Sequence, residues 1–91
     1  MSKKSGWDRQ EIIFAVRMKG SSLQRLGLEN GFFRHTLHKS LTVRFPRAHQ
    51  LIAEFLGVQR QVIWPQFYHP NGEPKTFKQV RSEAVQQARA A

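Results

Sequence analysis

Arg34, His35, Thr36, His38 and Lys39 fall within one short stretch of the chain. Residues of these types can donate to anions, read base edges or hold a metal. Arg34 is the first candidate for base readout, because a guanidinium pairs bidentately with guanine O6 and N7; a phosphate contact is its alternative. His35 and His38 stand three apart, so a helix puts both on one face, a spacing that suits a metal. The chain has no Cys and no carboxylate cluster beside them, so base or phosphate contact is expected ahead of a metal, and for His38 a plain solvated surface ahead of both. Thr36 can donate to DNA or bond its own backbone. Asp8, Glu11 and Glu29 make no carboxylate pair, and no Ser, His and acid share a triad-like spacing. No enzymatic activity, metal or cofactor is expected.

The rest of the composition says what such a cluster would meet. The 91 residues carry 15 Lys+Arg against 6 Asp+Glu, a formal charge of +9. From Arg17 to Arg47 there are seven basic residues and one acid, Glu29. Such a local excess costs self-repulsion unless a polyanion neutralises it. The lack of Cys excludes a disulfide framework and thiol chemistry. The longest apolar run, Ile12 to Val16, is far below the roughly 20 residues that span a bilayer. Arg17 and Lys19 close it too early for a secretory signal. One small soluble cytoplasmic domain is expected, with no membrane partner and no small-molecule substrate.

Helical spacing supplies the scaffold. Asp8 and Glu11 form a capping-box pattern, with Trp7 placed to staple onto Ile12. A helix over 9–19 follows and ends at Gly20. Ser21 and Ser22 are the next caps, before a short helix on Leu23, Leu26 and Gly27 that breaks at Asn30-Gly31. A third helix is predicted over 33–40, with Leu37 and Leu41 on one side and Arg34, His35, His38 and Lys39 on the other. Pro46 suits the first turn of a fourth helix. Its apolar stripe is Ala48, Leu51, Ile52, Phe55 and Leu56, and Gly57 stops it. A single turn over 60–63 is closed by Trp64-Pro65. Residues 69–74 carry turn chemistry, and prolines on both sides argue against a paired strand. Residues 76–91 hold helix formers with a thin stripe at Phe77, Val80, Ala84 and Ala88. The domain reading is a flexible arm over 1–6, a folded domain over 7–68, and a tail over 69–91 made of a loop and then either a weak, fraying helix or a disordered segment.

Two short helices joined at Asn30-Gly31 have the parts of a helix-turn-helix. Gly31 tolerates positive φ, Gly27 lets the second helix approach, and Leu37 anchors that helix to the core. Any small bundle can hold a glycine turn; the basic outward face points to the major groove. Phosphate contacts are expected from Ser21, Ser22, Gln24 and Arg25 at the start of the first of the two helices, and from Lys39, Arg44 and Arg47. Ser22 has capping as its alternative. Trp64, Phe55 and Phe67 could stack single-stranded bases, but their periodicity places them in a core.

The chain resembles the Ner family of DNA-binding regulators from transposable phages and related bacterial proteins. The matching pieces are Trp7 with Ile12-Ile13, Gly20-Ser21-Ser22-Leu23, Asn30-Gly31, Phe45-Pro46-Arg47, Leu51-Ile52-Ala53-Glu54, Leu56-Gly57-Val58 and Val62-Ile63-Trp64-Pro65-Gln66-Phe67-Tyr68. The resemblance covers the stretch from Gly6 to Tyr68. It implies an all-α, lambda-repressor-like bundle of about five helices with a helix-turn-helix, no enzymatic activity, and operator binding at phage or prophage promoters. One departure lies after the turn glycine, where the family has a small polar residue opening the recognition helix. Here the residues are Phe33, Arg34 and His35. Phe33 cannot cap; a thymine methyl or the DNA backbone is what it can touch. The operator is therefore not expected to be shared with the family.

The function these features imply is sequence-specific binding of double-stranded DNA, with regulation of transcription, as a repressor, by occupying an operator. Base-readout candidates are Phe33, Arg34, His35, Thr36 and His38. One short recognition helix reads only about 4–6 base pairs, so two copies are expected on a repeated site, and no coiled coil is present to hold them together when free. The alternative is a protein interaction module or adaptor with non-specific nucleic-acid affinity. RNA binding ranks third, because no strand pattern builds an aromatic sheet.

Overall fold

A computed structural model describes the backbone of residues 6–90 and the side chains of residues 6–86. The expected arm over 1–6 lies, apart from Gly6, outside the described residues. Six helices follow in order: α1 (Arg9–Met18), α2 (Leu23–Glu29), α3 (Thr36–Ser40), α4 (Pro46–Leu56), α5 (Arg60–Ile63) and α6 (Phe77–Ala90).

Local chemistry sets the first boundaries. The Glu11 backbone N–H donates to Asp8 Oδ1 at 2.9 Å, and the Asp8 N–H donates to Glu11 Oε1 at 2.8 Å, so the capping box closes on both sides. Ser22 Oγ accepts from the Arg25 N–H at 3.1 Å and starts α2. α2 ends at Glu29 with Asn30 as its cap, and Gly31 follows at a φ of +84°, open to glycine at no steric cost. The next N–H, of Phe32, reaches back to the Gly27 carbonyl at 2.9 Å, a six-to-one closure of the helix end. Gly27 is buried, and a Cβ there would stand 3.1 Å from Leu37 Cγ. The missing side chain is what lets α3 lie against α2.

α3 begins later than its periodicity predicts. Helical spacing gave 33–40, but the helix runs only from Thr36 to Ser40. Phe33, Arg34 and His35 form a turn into it, with the Thr36 N–H donating to the Phe33 carbonyl at 3.2 Å. No side chain caps α3 at His35. With no cap available in Phe33-Arg34-His35, the first full turn waits until Leu37 is seated in the core.

α4 also rotates from its predicted stripe. Ala48, His49, Ile52, Ala53 and Leu56 are buried, while Leu51 and Phe55 lie half-buried at the margins. The surprise is His49, fully buried and stacked on Trp64 with ring centroids 3.8 Å apart. Its Nε2 lies 2.6 Å from the Ser40 carbonyl and its Nδ1 lies 2.8 Å from Tyr68 Oη. A carbonyl can only accept, so Nε2 carries the proton and Nδ1 accepts from the tyrosine hydroxyl. The neutral ring therefore satisfies both bonds. Burial pushes its pKa down to about 4; the Ser40 carbonyl opposes the shift and Arg60 adds to it.

That depression has a sign. The unfolded chain takes up a proton near pH 6.5 and the folded one only near 4, so stability is full above 6.5 and falls as pH drops toward 4. Urea unfolding at pH 7 and pH 4.5 should differ by about 2 kcal/mol from this group. His49→Phe should flatten that part of the profile, and a wild-type profile flat over this window would contradict the buried neutral ring.

After α5 the chain makes a minimal hairpin that prolines at 70 and 74 argued against. Tyr68 and Pro74 form an isolated antiparallel bridge. The Lys75 N–H donates to the Phe67 carbonyl and the His69 N–H to the Glu73 carbonyl, each at 2.8 Å. Residues 68 and 74 are thus a non-hydrogen-bonded pair, where the partner strand asks for no N–H. Pro74 costs no ladder bond there. Pro70-Asn71-Gly72 is the loop, with Gly72 at φ +94° as the bulge residue that three-residue loops use. The tail beyond is helical, as α6. Thr76 and Gln79 cap α6 reciprocally, at 2.9 and 3.1 Å, and Lys75 Nζ meets Glu83 Oε1 at 2.6 Å. Val80 packs against the core.

Candidate nucleic-acid interface

α2 packs on α3, and α3 on α4, so the turn over 30–35 is held from both sides while its outer surface stays open. Phe32 turns inward. Its ring meets Phe45 edge-on at 6.1 Å and lies under the Arg47 guanidinium at 5.5 Å. Phe33, Arg34 and His35 are exposed; Thr36 and His38 are half-buried; Lys39 is exposed. All five base-readout candidates are therefore in or just before α3, three of them in the turn rather than on the helix.

The phosphate candidates separate into groups. Gln24 and Arg25 are exposed on the first turn of α2. Ser22 is engaged as the cap, and Ser21 Oγ lies 3.5 Å from the Ser22 carbonyl. Arg25 Nε lies 3.3 Å from Glu29 Oε2, one helical turn on. That exposed pair contributes about 0.5 kcal/mol, so it does not remove Arg25 from service. Arg47 is exposed at the start of α4, where no side chain caps the helix. Its position beside the open N–H groups suits an anion. A shallow groove lined by Asn30, Phe32, Pro46, Arg47, Gln50 and Leu51 joins this end of α4 to the turn. Arg44 is set apart. It is half-buried, its Nε donates to the Lys75 carbonyl, and its guanidinium lies 4.6 Å over the Phe77 ring. It ties the base of α6 to the loop before α4.

The sequence reading did not assign Arg9 and Arg17 to the interface. Burial lowers the pKa of His38, and Arg9, His35 and Arg17 lower it further. The charge of these α1 arginines is thus felt at His38 on α3. Spacing gave one hint, since Arg9 and Arg17 both lie off the buried Ile12–Val16 stripe.

Residues 6–80 match the family described as winged helix-turn-helix DNA-binding. The chain belongs to that family. The resemblance to the Ner regulators also holds. Over 67 residues, 74% of this chain and 92% of the relative, it is 36% identical to a negative regulator of transcription from Escherichia phage D108. Over 72 residues, 79% and 75% of the two chains, it is 36% identical to the sugar fermentation stimulation protein B of Escherichia coli K12. Over 58 residues, 64% and 65%, it is 33% identical to the Mu-like prophage FluMu DNA-binding protein Ner of Haemophilus influenzae. This is a winged helix-turn-helix protein of the Ner type, helical among the described residues apart from the minimal hairpin at 67–75, which joins α5 to α6. No helix among the described residues is long and apolar enough to cross a membrane.

Proposed function

We propose that this protein represses transcription by occupying an operator on double-stranded DNA in the cytoplasm. The observation that carries the reading is the exposed Phe33-Arg34-His35 turn, set between the anchored Phe32 and the buried Leu37 and followed by the exposed Lys39 and Arg47. Phosphate contacts from α2, Lys39 and Arg47 position the domain, and the turn reads base edges. Blocking polymerase needs no catalytic step. Phage D108 and phage Mu relatives are named as negative regulators of transcription, which supports repression. A recognition element this short spans about 4–6 base pairs, so two copies pair on adjoining half-sites.

Selection from random duplexes tests the reading. A defined consensus, bound in preference to single strands and RNA at fixed salt, is the expected result; equal binding to all three contradicts it and favours an adaptor with general polyanion affinity. On the selected site, Arg34→Ala should cost about 1–3 kcal/mol and relax one base position. An equal loss on random duplex would make Arg34 a phosphate contact.

A further inference from the structure

Phe32 and Phe33 are neighbours with opposite fates. Phe32 is anchored by Phe45 and Arg47, and its N–H closes α2. Phe33 follows with its carbonyl already bonded to the Thr36 N–H. The backbone on both sides is fixed, yet the ring is 87% exposed, more than any other large apolar side chain described. Isolated exposed apolar side chains are ordinary on protein surfaces. This one stands at the open end of the recognition element, next to Arg34 and His35, where contact with DNA is expected.

Phenylalanine has no donor and no acceptor, so it cannot bond a phosphate or a polar base edge. The one apolar group on the major-groove edge of a base pair is the pyrimidine C5-methyl. We infer that Phe33 reads a C5-methyl in the operator, carried by thymine or by 5-methylcytosine at the same place. The inference rests on the operator reading above and names the group that one of its residues recognises. Arg34 and His35 supply the polar part of the readout, and Phe33 discriminates by burying a methyl.

The test uses the selected operator with each thymine replaced in turn by deoxyuridine, which removes only the methyl. At one position the wild-type protein should bind about 3- to 10-fold more weakly. Phe33→Ala should bind the thymine and uracil duplexes equally. Its melting temperature should match wild type, because the ring packs on nothing. A second arm places 5-methylcytosine or cytosine at that position opposite guanine. Tighter binding to the methylated base extends the reading to methylated operators, and equal binding confines it to thymine. Indifference to uracil at every position overturns the inference while leaving operator binding intact. So does a Phe33→Ala loss that is the same on both duplexes, since the ring would then pack on sugar or between bases. A selection that returns no consensus overturns the operator reading itself, and this inference with it.

Discussion

Trp64→Ala should leave the domain without a cooperative unfolding transition near room temperature. Trp64 is fully buried, and three separate supports end on it. Its ring stacks on His49 at 3.8 Å, its Nε1–H donates to the Leu41 carbonyl at 3.1 Å, and its backbone N–H closes α5 on Arg60 at 2.8 Å. Truncation of a buried Trp costs about 3–5 kcal/mol in lost burial and cavity formation. The orphaned Leu41 carbonyl adds about 1–3 kcal/mol, and His49 loses its packing partner. A small domain holds about 5–15 kcal/mol in total. Each kcal/mol moves the Tm of a domain this size by about 4–8 °C, so a fall of at least 20 °C is expected by circular dichroism. Trp64→Phe keeps most of the packing and loses the hydrogen bond, so it should fall much less. A Trp64→Ala protein melting within a few degrees of wild type would take Trp64 out of the core.

The parts of this fold that rest on neighbours in sequence were readable. The Asp8–Glu11 box spans three residues, and the Ser22 cap spans three. The Gly27, Gly31 and Leu37 set needs only helical geometry and one turn. The parts that rest on distant partners were not. His49 reads as a polar interruption beside the α4 stripe until Tyr68, 19 residues on, supplies its hydroxyl. Arg44 reads as a phosphate ligand, while the carbonyl it bonds belongs to Lys75, 31 residues away. Pro74 argued against pairing because the sequence does not say which register it falls in, and only its non-hydrogen-bonded place in the hairpin makes it harmless. At the candidate interface, the setting of the residues was not legible. The amphipathic pattern put Phe33 to His35 on a helix, whereas the structure presents them on a turn before it. The effect of Arg9 and Arg17 on His38 was not legible, because both are distant from it in sequence.

Salt dependence should be the largest functional effect. Arg25, Lys39 and Arg47 are exposed around the turn, and Arg9 and Arg17 act electrostatically on His38 beside them. Three to four phosphate contacts per domain give a slope of log K against log salt of about −3 to −4, and two domains about twice that. Raising salt fourfold should therefore weaken binding by a single domain about 100-fold. Reversal of Arg47 to Glu should lower the slope by about one and weaken all sequences alike.

The central claim is that this basic turn grips duplex DNA as a pair of domains on a repeated operator. It is tested most directly by titrating the full chain onto two half-sites at several salt concentrations. One duplex sets the half-sites about one helical turn apart, and a second adds half a turn. Sedimentation of the free protein runs alongside. The account predicts steep salt dependence on both duplexes, a monomer in the absence of DNA, and cooperative occupancy only on the in-phase duplex. A slope near zero would contradict DNA binding by this surface.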